Sequence, residues 1–268
     1  MGDQSRGGLI RGSTIILAFL IWGSTEAQIL RINKVSLMAD SVERVSGYVA
    51  LDANLNNGNS TAEEQITFTS IRGTADLSYT SEKHVYFIIS DARYFKSTGG
   101  PLQSTGYTHL RSILLNNNRL SYELFGQAQY DEGRNLNRRL LAGGGLRFRL
   151  LEELAIGTGI MQEFELWELP GEEGIFTDRN LTKSTSYISG RVKFSEYVTA
   201  TITGYYQTGF DRSIDGMRNR VSGDASVDIK IASKFDFNLR YTLSYDERPI
   251  IPLSKTVYVL GTGVKYSF

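Results

Sequence analysis

The stretch Lys255-Thr256-Val257-Tyr258-Val259-Leu260-Gly261-Thr262-Gly263-Val264-Lys265-Tyr266-Ser267-Phe268 decides the fold. Every second residue, counted back from the end, gives Phe268, Tyr266, Val264, Thr262, Leu260, Tyr258 and Thr256. Side chains alternate across an extended strand, so these share one face. Ser267, Lys265, Gly263, Gly261, Val259 and Val257 take the other. The first face is rich in aromatic and large aliphatic groups and the second is mostly small. That contrast is the mark of a strand between two different surroundings.

At the other end, Arg6 and Arg11 precede an apolar run, Thr14–Trp22, and the segment Gly23-Ser24-Thr25-Glu26-Ala27 follows it. This is the pattern of a removable secretory signal, cleaved between Ala27 and Gln28. The run is too short to cross about 30 Å of hydrocarbon as a helix. The expected division is a signal peptide at 1–27, a short periplasmic leader at 28–45, and one β domain at 46–268. The chain has no cysteine, and its 29 basic side chains balance 29 acidic ones. A disulfide framework is thereby excluded, and a nucleic-acid partner is argued against. No later segment is apolar for the length of a spanning helix, so a mature chain in a membrane must be a closed barrel. In that light the last strand resembles the closing strand of bacterial outer-membrane barrels. The resemblance implies that Tyr258, Leu260, Val264, Tyr266 and Phe268 form the strand read by the barrel assembly machinery.

From Gly47 onward the period is two. Gly47, Val49, Leu51, Ala53 and Leu55 share a face, and Asn57-Gly58-Asn59 reads as a turn. A second strand runs through Ile71–Tyr79. A third, Val85–Phe95, is apolar on both faces at Val85-Tyr86-Phe87-Ile88-Ile89, which leaves its phase open. Further strands are expected near Gly106–Leu115, Tyr122–Tyr130, Arg139–Leu150, Leu154–Leu166 and Ile188–Phe194. Val198–Gln207, Val221–Ile231, Phe235–Tyr245 and Lys255–Phe268 bring the number to about twelve.

Alternation does not say which face is inside: a lipocalin-like barrel points its apolar face inward, a membrane barrel outward. Three features favour the second. Connections at Ser81–Lys83, Asn116–Asn118, Glu152-Glu153, Ser195-Glu196 and Ser233-Lys234 are tight, while those near 96–105, 131–137, 168–184, 209–219 and 246–255 are longer. Pro101, Pro170, Pro249 and Pro252 all fall in the longer ones, as an unbroken ladder requires. The polar face carries Arg, Lys, Asp or Glu on nearly every strand, which suits a wet lumen. The expected fold is an all-β, transmembrane antiparallel barrel of the bacterial outer membrane.

The tight turns set approximate neighbours across each hairpin. Arg111 falls opposite Glu123, Arg139 opposite Glu163 with Glu165 one step further, and Lys230 opposite Asp236. With Arg147 and Arg240 on the same polar faces, these residues are expected to line the lumen as a network of ion pairs. The Arg139 fork is suited to bridging Glu163 and Glu165 together.

Other chemistry is sparse. His84 lies by a tight turn and reads as a solvated turn residue; His109 is expected to face the lumen beside Arg111. Ser112 has the opposite parity to His109, so no Ser–His dyad forms there. Glu163 and Glu165 have the look of a general acid/base pair but already have Arg139 as partner. No metal, cofactor or phosphate-loop pattern is present, and no enzymatic activity is expected.

The runs His109-Leu110-Arg111, Tyr122–Gln127, Arg139–Arg147 and Gly157-Thr158-Gly159 before Glu163-Phe164-Glu165 resemble the family called domain of unknown function 481, which includes salt-induced outer-membrane proteins. The resemblance implies an outer-membrane barrel and no established activity. The expected function is a narrow passive pore for small polar solutes in the outer-membrane bilayer. The alternative is a non-conducting structural barrel whose loops, chiefly Glu168–Lys183, bind at the surface; an outer-membrane hydrolase ranks last.

Overall fold

The computed structural model describes residues 44–59, 65–98, 100–172, 174–233 and 235–266. The expected signal and most of the expected leader, and Ser267 and Phe268 at the other end, lie outside them. Twelve strands form one antiparallel sheet in which sequence neighbours pair throughout. The first four are β1 (Arg44–Asn59), β2 (Gln65–Thr80), β3 (Val85–Ser97) and β4 (Gly100–Leu114). Next come β5 (Leu120–Asp131), β6 (Leu136–Leu151), β7 (Leu154–Glu168) and β8 (Phe176–Lys193). The last are β9 (Val198–Asp211), β10 (Gly216–Ala232), β11 (Phe235–Asp246) and β12 (Thr256–Tyr266). β1 and β12 end the strand order, and among the described residues no ladder joins them.

The two faces of the sheet are inverted relative to a water-soluble protein. On one face Leu124, Ile160 and Leu260 stand 58%, 65% and 52% exposed. On the other Arg111, Glu123, Glu163 and Glu165 are buried. Large aliphatic groups that meet no protein partner, over charged groups that are buried, is the arrangement of a barrel wall between lipid and lumen. The open phase of β3 is settled by the same inversion. Val85, Phe87 and Ile89 point inward and form a buried cluster with Tyr107 and Ile113, whereas Tyr86 points out.

Several expected connections are shorter than the sequence suggests. β3 and β4 stay paired to Ser97 and Gly100, so no long loop exists at 96–105. Pro101 accordingly lies in β4 rather than in a loop; it faces Lys96 where the register shifts, a place where a missing N–H is tolerated. Asn57, Gly58 and Asn59 are strand residues paired with Thr67, Ile66 and Gln65, not a turn. One 3-10 turn, Glu132–Arg134, joins β5 to β6, and residues 212–215 join β9 to β10. β8 begins at Phe176, which leaves only 169–175 of the expected 168–184 loop and removes Glu168–Lys183 as a binding loop. The cause is physical: here the outward residues Asp178, Asn180, Thr182 and Ser184 are polar and exposed, so the apolar–polar alternation fades while backbone pairing continues. The expected asymmetry of the two rims is therefore weaker, and the inverted polarity carries the orientation instead.

Candidate functional site

Inward side chains of β4 to β11 meet across the lumen in two layers. In the first, Arg111 on β4 lies with Nη1 3.6 Å from Glu123 Oε1 on β5, and both side chains are only 3% exposed. Its guanidinium stacks over the rings of Phe125 and Tyr187, at 5.4 and 5.2 Å. Tyr187 on β8 donates its hydroxyl to Glu123 Oε2 at 2.6 Å, and Arg111 Nη2 donates to Tyr205 on β9 at 3.5 Å. Arg147 on β6 approaches the same Glu123 at 3.9 Å. Gly157 makes room for this layer: a Cβ there would fall within the Tyr187 ring. The three strand-six glycines do related work, with Gly143 covered by Met161 and Phe125 and Gly145 held close to the Thr158 backbone.

The second layer joins β6, β7, β8, β10 and β11. Arg139 donates from Nε to Glu163 Oε2 at 2.9 Å and reaches Glu165 Oε1 at 3.2 Å. Lys183 Nζ pairs with Glu163 Oε1. Arg220 donates from Nη1 to Glu163 Oε2 at 3.2 Å and from Nη2 to Glu165 Oε1 at 3.0 Å. The same Nη2 lies 2.9 Å from Asp246 Oδ2. Trp167 Nε1 donates to Glu165 Oε2 at 3.3 Å. Three cations, Arg139, Lys183 and Arg220, thus face three carboxylates, Glu163, Glu165 and Asp246, in a layer that is charge-balanced.

The sequence placed Arg111, Glu123, Arg139, Arg147, Glu163 and Glu165 together, and the structure unites them, although the registers differ by two residues. Arg111 stands directly across from Phe125, and Glu123 from Ile113, because the β4–β5 turn spans 115–119 with Leu115 at φ 57°. Arg139 stands across from Glu165 rather than Glu163, because the hairpin closes at Leu151 and Leu154 and a one-residue shift between Arg149 and Leu151 brings Glu165, not Leu166, opposite it. A two-residue slip preserves the face, so the ion pairs survive as diagonals. Lys230 and Asp236 are in register as expected, yet no ion pair joins them; Lys230 is exposed. Arg240 pairs instead with Asp224 at 2.8 Å. Tyr258, Leu260 and Val264 share the outward, exposed face of β12, and Tyr266 pairs with Phe235. His109 is buried and stacked on Tyr107, as expected of a lumen residue. His84 is no solvated turn residue: its Nδ1 accepts the Leu115 N–H at 3.2 Å and ties two turns together. Lys183 and Arg220 were missed. Lys183 sat in the supposed loop, and Arg220 faces Asp246 in the same β10–β11 register that sets Lys230 against Asp236, too far from the turn to be singled out.

Both ends of the lumen are occupied. The Val85 cluster fills the end beside the 81–84 and 115–119 turns. At the opposite mouth the 247–255 loop folds inward, burying Ile251 against Leu136 and Trp167. Arg218, itself paired with Asp211 at 2.6 Å, donates to the Arg248 carbonyl and holds that loop down. Between the two layers a cavity of about 80 Å³ remains.

Residues 51–268 match the model of a family described as protein of unknown function, DUF481. The chain belongs to this family. Among curated proteins nothing matches the DUF481 chain. A solved NanC porin is similar to it over 82% of this chain and 100% of the other, at 10% identity and a TM-score of 0.42. The translocator domain of the autotransporter NalP from Neisseria meningitidis is similar over 88% and 92%, at 9% identity and a TM-score of 0.41.

Proposed function

We propose that the protein is an integral outer-membrane barrel with a constricted polar lumen that passes only small hydrophilic solutes. The observation that carries the membrane reading is the inversion: exposed Leu124, Ile160 and Leu260 outside, buried Arg111, Glu123, Glu163 and Glu165 inside. The constriction follows from pairs that cross the bore. Arg220 on β10 holds Glu163 on β7, and Tyr187 on β8 holds Glu123 on β5. Charged pairs on the opposite wall are less buried, Arg72 with Asp91 and Arg240 with Asp224. We propose no catalytic role. Glu123, Glu163 and Glu165, the carboxylates buried in the two layers, are each engaged by cations.

The small remaining cavity and the folded 247–255 loop favour one second reading, a barrel that does not conduct. Planar-bilayer recording separates the two. The first expects small discrete steps from the wild type and larger ones from Arg220→Ala. Silence from both at high protein load leaves the non-conducting barrel.

A further inference from the structure

Between its two charged layers the lumen holds a cavity of about 80 Å³ lined by Tyr107, Arg111, Gln127, Gln207, Ser222 and Ser244, among others. Buried polar atoms on that wall without a hydrogen bond include the Tyr107 hydroxyl, Arg111 Nε and Gln207 Oε1, and also Glu123 Oε1, which has only the 3.6 and 3.9 Å ion-pair contacts of Arg111 and Arg147. Buried polar groups are nearly always satisfied, so several on one cavity, of which the Tyr107 hydroxyl and Arg111 Nε are donors, point to something bound among them. Turning the Gln207 amide by half a turn would present its N–H₂ there instead, since oxygen and nitrogen are interchangeable in such a group.

Charge points to the same place. The second layer is balanced, but in the first Arg111 and Arg147 share a single carboxylate, Glu123. Glu123 is further engaged by the Tyr187 hydroxyl. Among the described residues of the two layers, five cations (Arg111, Arg139, Arg147, Lys183, Arg220) face four carboxylates (Glu123, Glu163, Glu165, Asp246). A positive charge left over in a largely dehydrated interior is costly, and a bound counter-charge removes that cost. His109 lines the cavity too and adds no negative charge; Glu123 is the one carboxylate on its wall.

We propose that this cavity is a binding site for a small anion, held by the Arg111 guanidinium and the Tyr107 hydroxyl with help from the glutamine and serine side chains. One water needs roughly 10–15 Å³ of such space, so a halide or a small oxyanion fits and a sugar does not. Donors dominate the wall, through arginine, tyrosine, serine and amide groups, which selects an acceptor carrying negative charge. The site stands whether or not the lumen conducts.

The test is the unfolding temperature of the full mature chain in detergent while bromide replaces gluconate at constant ionic strength. A ligand bound only by the folded state raises that temperature in a saturable way. Wild type is expected to show this rise. Tyr107→Phe keeps the ring on His109 and removes only the hydroxyl, and is expected to raise the half-saturating bromide concentration about fivefold. Arg111→Gln is expected to abolish the response; should it fail to fold, Tyr107→Phe still decides. A flat wild-type response, meaning a cavity filled by water alone, overturns the proposal. So does a bromide response of equal size and midpoint in wild type and Tyr107→Phe. A silent bilayer with a bromide-dependent unfolding temperature removes the pore and leaves the site; conductance with no bromide dependence does the reverse.

Discussion

Arg220 on β10 reaches past β9 and β8 to Glu163 on β7, its Nη1 3.2 Å from Glu163 Oε2. No hairpin brings these residues together. The same guanidinium also holds Glu165 and Asp246, so one side chain links β7, β10 and β11 at mid-lumen.

Arg220→Ala is therefore expected to be more damaging than Arg139→Ala. After loss of Arg139, Glu163 and Glu165 keep Arg220, and Glu163 keeps Lys183 as well. After loss of Arg220, Asp246 has no other ion-pair partner among the described residues and two strands lose their tie. Breaking a buried pair from one side costs about 3–5 kcal/mol, the scale expected for Arg220→Ala. Thermal unfolding of both variants in detergent gives the order. Adding Glu163→Gln should recover part of the Arg220→Ala loss; a strictly additive cycle would show that the two groups do not couple.

Tyr187→Phe separates a hydrogen bond from a ring. It removes the 2.6 Å bond to Glu123 and keeps the aromatic face under Arg111 and over Gly157. A bond to a charged group is worth roughly 1.5–3 kcal/mol, so a loss in that range is expected in denaturant titration. Gly157→Ala attacks the same contact by overpacking, because its Cβ has no space beside the ring. A loss of about 1–3 kcal/mol is expected, and Tyr187→Ala in the same chain should return some of it.

Ile160 tests the membrane face. It stands 65% exposed near the middle of β7, where a water-soluble protein would accept Arg without loss. At the middle of a bilayer the same change costs about 2–4 kcal/mol. Ile160→Arg is expected to lower folding yield into lipid vesicles while Ser222→Arg, on the lumen side, acts only through packing. Equal behaviour of Ile160→Arg and wild type in vesicles would count against the lipid-facing assignment.

Ile251→Ser should loosen the mouth. Its burial against Leu136 and Trp167 holds a loop whose Arg248 and Lys255 side chains are exposed. Limited trypsin digestion is expected to cut 247–255 faster in the variant, with the strands intact. An unchanged cleavage rate would mean that Arg218 alone pins the loop.

The strand number, the outward band and the lumen placement of Arg111, Glu123, Arg139 and Glu163 were all legible in the sequence. The reason is local: alternation has period two, and a wall between lipid and lumen asks for a two-valued choice at each residue. Register and loop length were less legible. The hairpin closes at Leu151 and Leu154, and a one-residue bulge between Arg149 and Leu151 sets Arg139 across from Glu165, where an unbulged ladder would give Leu166. Phe176–Lys183 read as loop because the outward residues Asp178, Asn180 and Thr182 are polar, which leaves no apolar face to mark the strand. What only the tertiary structure decided is which strands meet across the bore. Arg220 with Glu163, Tyr187 with Glu123 and Ile251 with Trp167 depend on how the whole sheet curves. Curvature accumulates from the twist of twelve strands, and no local stretch of residues encodes it alone.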